Sequence, residues 1–284
     1  MKTIKKVIAP VRIDFAGGTT DISPFKDKYG GAVLNAAIDK YIIGELIASD
    51  KNVSLKYSGE IPTSSGLGTS GTMSLVWLAL INNKNKLNRQ DRLNLAEHVY
   101  ELEKTFGGAN GKQDQYAAAL GGINFMEFKK DKVKITKLNL SSDLIKQLEN
   151  NLILVYTGKP HFAGSSNKNA IDNLLKNKNI KNFLAVKKIA YEMKNALLKG
   201  DLNKFAGLMN SETNEREKFS KFTVPQFIRK LIKIGKNNGA VAAKICGSGG
   251  GGSILFFGNK KKLKKKFGKK VIDFNFDFDG LRML

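Results

Sequence analysis

Residues 62–72 read Pro62-Thr63-Ser64-Ser65-Gly66-Leu67-Gly68-Thr69-Ser70-Gly71-Thr72. An apolar run with Met73, Leu75, Val76, Trp77, Leu78 and Leu80 follows at once. Glycines let a backbone fold back and bring its N–H groups close to an anion. A helix that begins at the end of such a loop adds unpaired N–H donors and the positive end of its dipole. Together they form a phosphate cradle. The hydroxyls of Thr69, Ser70 and Thr72 could also reach a phosphate or a magnesium ion. Taken alone, an ordinary Gly/Ser loop ahead of a core helix reads the same way. The Walker sequence Gly-x4-Gly-Lys-Ser/Thr occurs nowhere in the chain.

Three further stretches carry chemistry. Gly111-Lys112-Gln113-Asp114-Gln115-Tyr116 places Asp114 just after a glycine break and before Ala117-Ala118-Ala119. A carboxylate at a helix N-terminus is held ionised by the dipole and can take a proton from a hydroxyl. Lys112 beside it could stabilise that charge, or neutralise charge on a transferring phosphoryl group. A helix cap is the plainer role for Asp114. Glu103, near the end of the preceding helix, would form with the Ser70 hydroxyl a partial shell for magnesium, which takes one or two carboxylates plus phosphates and waters. The N-terminal turn holds Arg12, Asp14, Gly17, Gly18, Thr19, Thr20 and Asp21. There a guanidinium can fork an anion, and Asp21 can accept from vicinal hydroxyls. The fourth stretch, Lys244-Ile245-Cys246-Gly247-Ser248-Gly249-Gly250-Gly251-Gly252, has a strand reading on each side. Such a glycine run is entropically costly, and tolerable where backbone passes close to a ligand.

The elements that must position these groups are legible in outline. Strands are expected over residues 5–15, 37–48 and 53–57, with breaks at Ala16–Asp21 and Gly30-Gly31. A helix follows the glycine loop. A second helix spans Arg89 to Phe106, stopped by Gly107-Gly108. A short helix begins within Gly111–Leu120 and ends at Gly121-Gly122. Paired strands are expected at Ile123–Phe128 and Val133–Leu138, and an apolar strand at Leu152–Tyr156. Residues 165–235 read as mostly helical. Strands at Ala240–Cys246 and Ser253–Phe257, a helix at Lys260–Phe267 and a strand at Val271–Phe276 complete the chain. The order suggests an α+β protein of two lobes, residues 1–150 and 151–284.

Composition narrows the class. The chain has 284 residues, 42% of them hydrophobic, so it can build a proper core. Cys246 is the single cysteine, which excludes an internal disulfide and suits a reducing cytoplasm. No signal-peptide pattern or membrane-length apolar run is present. The net charge of +23 invites a nucleic-acid reading. The lysines, however, are scattered, and the densest run, Lys260–Lys266, is most simply a solvated helix face. A positive field would still attract anionic substrates.

These stretches, in this order, resemble the GHMP small-molecule kinases. Pro-x3-Gly-Leu-Gly-Thr-Ser is similar to the family's nucleotide loop, with Thr69 and Gly71 as small departures. Arg12-Ile13-Asp14-Phe15-Ala16-Gly17-Gly18-Thr19-Thr20-Asp21, Gly30-Gly31-Ala32-Val33-Leu34, Ile38-Asp39-Lys40-Tyr41 and the Gly111–Gly122 segment look most like the heptose 7-phosphate kinases. Thr19 stands where that subgroup usually has Gly, and Asp14 where it often has Ser.

The resemblance implies a ribosomal-protein-S5-domain-2-like N-terminal lobe, which binds ATP, and a ferredoxin-like C-terminal lobe. Pro62, Ser64, Ser65, Gly66, Leu67, Gly68, Thr69, Ser70 and Gly71 would hold ATP, and Ser70 and Glu103 would hold Mg2+. Asp114 would be the base or orienting carboxylate, with Lys112 and Arg12 as further catalytic groups. Arg12, Gly17, Gly18, Thr20 and Asp21 would line the sugar pocket, and Gly247, Ser248, Gly249 and Gly250 would close it. Arg216, Lys218 and Lys221 are candidates to anchor a distal phosphate.

The function so implied is ATP-dependent phosphorylation of the anomeric hydroxyl of D-glycero-D-manno-heptose 7-phosphate, in the cytoplasm. A kinase of an unphosphorylated, fucose- or galactose-like sugar is the alternative among enzymes. A basic RNA-binding protein with an S5-like lobe is the alternative from another class. Expected partners are a sugar or sugar phosphate and ATP. A homodimer is admitted, while membrane and nucleic acid are not expected.

Overall fold

The computed structural model describes residues 3–50, 52–82, 84–106, 111–160 and 163–284. The element order is β1 (Thr3–Ala16), α1 (Phe25–Tyr29), β2 (Gly31–Ala48), β3 (Val53–Gly59), α2 (Thr69–Ile81), α3 (Arg89–Thr105), α4 (Gln113–Leu120), β4 (Ile123–Lys129), β5 (Lys132–Lys137) and α5 (Ser142–Asn151). After these come β6 (Leu152–Tyr156), α6 (Ala163–Leu175), α7 (Ile180–Leu198), α8 (Leu202–Glu217), α9 (Gln226–Asn237), β7 (Ala240–Ile245), β8 (Ser253–Gly258), α10 (Lys260–Phe267), β9 (Val271–Ile272) and β10 (Arg282–Met283).

Two antiparallel sheets organise the lobes. The first runs β10-β1-β2-β4-β5, with β3 paired to β2. The second runs β7-β8-β6-β9. Helices α2 and α4 pack on β1 and β2, and α7 packs on the same two strands. A continuous core joins the lobes, running from Val11, Ile13 and Val33 through Met193, Phe205 and Met209 to Leu154 and Leu255. Strand β6 shows why its apolar run is unbroken. Leu152 and Leu154 enter that central core, whereas Ile153 and Val155 enter a separate outer core with Ile228, Leu263 and Phe267. A strand buried on both faces has no polar alternation to display.

The α3 start follows from its cap. The Asn88 side chain accepts from the Asp91 N–H, and the Asp91 carboxylate accepts from the Asn88 N–H. The expected stop at Gly107-Gly108 lies outside the described residues. One expectation changes. The strand expected over Val271–Phe276 is regular only at Val271–Ile272, because Phe276 leaves the second sheet and bridges Ile38 of the first. The C-terminal residues then return to the first lobe, where β10 pairs with β1. Among the described residues no helix is long and apolar enough to cross a membrane.

Candidate active site

The glycine loop takes the conformation its composition suggests. Ser64, Gly66 and Gly68 all adopt left-handed backbone, at φ 56, 77 and 74. Gly68 is the N-cap of α2, and no side chain caps the helix there. Among the described residues no side chain accepts from the first-turn amides of α2, which is the arrangement an anion can satisfy. The hydroxyls divide. Ser65 and Thr69 Oγ atoms lie 3.3 Å apart, and Thr72 Oγ1 donates to Gly68 O at 3.0 Å, so these brace the loop. Ser70 is exposed in the first turn. Leu67 is fully buried and anchors the loop in the core.

Asp114 stands directly against this loop. A methyl group at Gly68 would lie 3.1 Å from Asp114 Cγ, and one at Gly71 would lie 3.1 Å from Asp114 Cβ. Glycine at both positions is thus what lets the carboxylate approach. Arg12 fixes it: Nε and Nη2 both reach Asp114 Oδ1, at 2.8 and 2.7 Å. The same guanidinium donates from Nη1 to Gly66 O at 2.8 Å, and the Arg12 N–H donates to Leu67 O. One buried side chain at the end of β1 therefore ties acid to loop. Burial opposes its charge, but Asp114 and Asp14 outweigh burial and raise its pKa.

Asp21 completes the carboxylate pair. It packs on Gly111 and accepts from the Gln113 N–H at 3.1 Å, at the start of α4. Burial, and next the charge of Asp114, push its pKa up to about 6. Two neighbouring carboxylates with different environments are a proton-handling arrangement.

Glu103 Oε2 accepts from Gln115 Nε2 at 2.6 Å, while Oε1 is buried with no hydrogen-bond partner among the described residues. Burial raises the Glu103 pKa; hydrogen bonds from Ser74 and Gln115 offset this only partly, and Asp114 adds to the rise. Ser70 and Ser74 are one turn apart on α2, so Ser70 shares the face on which Glu103 sits. An orphaned carboxylate oxygen on that face fits a cation. Among the described residues no cluster of three or more His, Cys, Asp or Glu forms a metal cage.

The structure does not bring Lys112 to the cleft. Its ammonium is fully buried, 2.5 Å from Glu97 Oε1 and 3.2 Å from Asp131 O, above the Tyr100 ring. Sequence adjacency to Asp114 suggested a catalytic neighbour, but the turn into α4 sends the two side chains to different partners.

Two family models match the chain: the GHMP kinases N terminal domain over residues 31–122 and the GHMP kinases C terminal domain over residues 193–274. The chain belongs to the GHMP kinases. D-glycero-alpha-D-manno-heptose 7-phosphate kinase of Campylobacter jejuni is 28% identical over 88% of this chain and 87% of its own length. The bifunctional fucokinase/GDP-fucose pyrophosphorylase of Arabidopsis thaliana is 22% identical over 86% of this chain but only 29% of its own length. The crystal structure of a D-glycero-D-manno-heptose 1-phosphate kinase from Bacteroides thetaiotaomicron superposes with a TM-score of 0.76 at 25% identity, over 99% of both chains. This GHMP kinase is an ATP-dependent phosphotransferase with an alcohol group as acceptor, which sets aside the reading as an RNA-binding protein.

In this GHMP kinase the turn expected at the sugar end is braced by its own residues. Gly17 packs on the backbone of Ala32. The buried Thr20 hydroxyl donates to Gly17 O and accepts from the Ala32 N–H, so it shapes the turn. The glycine run serves contact between backbones. A methyl group at Gly247 would lie 2.8 Å from Gly66 O, one at Gly249 2.3 Å from Thr223 O, and one at Gly251 2.4 Å from Pro160 O. Gly250 N–H donates to Thr223 O. Ser248 is partly exposed within the same loop.

Sequence reading missed one feature of the kinase. Asp14, Glu212, Arg216 and Lys244 form a cluster whose four side chains are wholly buried. Arg216, a candidate phosphate anchor, is therefore matched inside the protein. Lys218 pairs with Glu215 at 2.8 Å, and Lys221 is exposed over Phe222. The one signal available was Asp14, a carboxylate set between the apolar Ile13 and Phe15 in the buried half of β1.

Proposed function

We propose that this kinase transfers the γ-phosphoryl group of ATP to the anomeric hydroxyl of a heptose 7-phosphate, giving a 1,7-bisphosphate. The observation that carries the proposal is the meeting of Asp114 with the Gly66–Gly71 loop, locked by Arg12. The phosphate tail lies on the α2 amides. Asp114 receives the proton of the acceptor hydroxyl as its oxygen bonds to phosphorus, and the bond from phosphorus to the bridging oxygen breaks to release ADP. Asp21 and Gly18 hold the sugar. Ser70 and Glu103 would hold Mg2+, which when bound neutralises phosphate charge. The names of the relatives support the heptose.

One observation favours an unphosphorylated sugar instead. Arg216, which could have met a distal phosphate, is already matched by buried carboxylates. An acceptor panel decides between them: heptose 7-phosphate, free heptose, hexose 6-phosphates, galactose and fucose, each with ATP and magnesium, read as ADP release. Turnover on heptose 7-phosphate at least tenfold above free heptose is expected. Preference for free sugars removes the 7-phosphate assignment. Asp114→Asn should cut kcat about 10²-fold or more; near wild-type turnover would remove Asp114 from the chemistry.

A further inference from the structure

The buried charge cluster is not used by the reaction just described. It consists of Asp14 on β1, Glu212 and Arg216 on α8 and Lys244 on β7, with all four side chains inaccessible to solvent. Lys244 Nζ lies 2.7 Å from Asp14 Oδ2 and 3.6 Å from Glu212 Oε1. Arg216 Nη1 lies 3.8 Å from Asp14 Oδ2 and 3.9 Å from Glu212 Oε1. Charges are withdrawn from water at high cost and persist where geometry gives a return. Here the hydrogen bonds point to that return, because they converge on one residue. Asp14 Oδ1 accepts from the Gly247 N–H at 3.1 Å, and Arg216 Nη2 donates to Gly247 O at 2.5 Å.

Gly247 in turn lies on Gly66 of the nucleotide loop. On its other side the cluster meets the acceptor turn. A methyl group at Gly18 would lie 2.7 Å from Asp14 Oδ2 and 3.2 Å from Arg216 Nη1, and Arg216 Nη2 reaches Thr19 Oγ1 at 3.5 Å. Thr19 adopts φ 75, a conformation costly for a β-branched residue, which persists only where the surroundings over-determine it.

We propose that Arg216 and Asp14 are positioning residues, which set the acceptor turn at a fixed place relative to the nucleotide loop through the backbone of Gly247. Their target is the placement of the sugar against the phosphate donor, and the inference rests on the acceptor-turn reading above. Arg216 does this as a fork. Its Nη atoms serve Gly247 O, Ile245 O and Thr19 Oγ1 together, which a lysine ammonium cannot reproduce. Glu212 belongs to the same cluster but bonds neither Gly247 nor the turn, so it supplies charge balance only.

The test compares Arg216→Lys and Asp14→Asn, which conserve charge and shape respectively, with Glu212→Gln as the control. Amide hydrogen exchange is followed at Thr20, Ala32 and Gly247, whose N–H groups bond Gly17 O, Thr20 Oγ1 and Asp14 Oδ1. Exchange there should accelerate at least tenfold in Arg216→Lys and Asp14→Asn, with β4 amides unchanged. Glu212→Gln should stay within twofold of the parent. Kinetically, the acceptor KM should rise at least fivefold while the ATP KM stays within twofold. Unchanged exchange in Arg216→Lys overturns the inference. So does acceleration spread equally over β4, or an equal effect of Glu212→Gln, because each describes general stability. The exchange arm needs no turnover. An inactive parent protein would therefore sink the sugar-kinase reading and leave this result to stand or fall separately.

Discussion

At the residue scale the informative contrast is between Asp114 and Asp21, two carboxylates at the start of one short helix. Asp114 is paired with Arg12, whereas among the described residues the hydrogen bonds to Asp21 come from backbone N–H groups, and it stands in the field of its neighbour. Its pKa near 6 in the folded protein lies above the ordinary carboxylate value of about 3.9. The fold therefore holds a proton on Asp21 more tightly than the unfolded chain does. That contribution to stability is fully present below about pH 4 and is lost as pH rises through about 6. At neutral pH the buried charge costs on the order of 3 kcal/mol. Asp21→Asn should consequently raise the unfolding free energy by about 3 kcal/mol at pH 7.5 and by almost nothing at pH 4, measured by urea titration. The same change should weaken acceptor binding, an exchange of stability against function common at active sites. An equal gain at both pH values would show that Asp21 is not a strained buried acid.

At the scale of elements, the parts that were legible are those written in local pattern. The α3 cap, the doubly buried β6 run and the Gly66–Gly71 loop each carry their cause within a few residues. The parts that were not legible depend on distant partners. Arg12 and Asp114 are joined only after β1 and α4 pack together, and Lys112 is drawn to Glu97 on α3. The glycine run after β7 gives no sign in the sequence of its backbone partners, which for Gly247, Gly249 and Gly251 are Gly66, Thr223 and Pro160. The loop and α2 also make a sharp claim about one glycine. Gly68 combines φ 74 with a Cβ direction that ends 3.1 Å from the Asp114 carboxyl carbon. Gly68→Ala must pay about 1 kcal/mol in left-handed backbone energy and also push Asp114 off Arg12. The expected result is a fall in kcat/KM of about 10²-fold, equivalent to roughly 3 kcal/mol, with only a small loss of Tm. ADP release and a thermal melt on the same sample check it; activity within threefold of the parent would mean that the loop and Asp114 do not act together.

At the scale of the whole molecule, the two lobes are not divided along the chain as simply as an N-terminal and a C-terminal half. The last residues cross back and clamp the element that presents Asp114. Leu281 N–H donates to Ala119 O at the end of α4, and Gly122 N–H donates to Asp277 O. Asp277 Oδ1 accepts from the Gly280 N–H, and its Oδ2 accepts from Tyr41 and Arg282. Leu281 itself is fully buried in the core shared by β1 and α4. Leu281→Ala should therefore cost about 3 kcal/mol, and the loss should be felt in the first lobe although the residue is near the C-terminus. Hydrogen exchange resolves the location. Amides of β1 and α4 should lose protection first, ahead of those of β6 and β8, because the alternate side chains Ile153 and Ile254 also anchor the second sheet in an outer core that does not contain Leu281. Protection lost first in β6 and β8 would place the tail with the second lobe, and the clamp on α4 would then have no part in holding Asp114 against the Gly66–Gly71 loop.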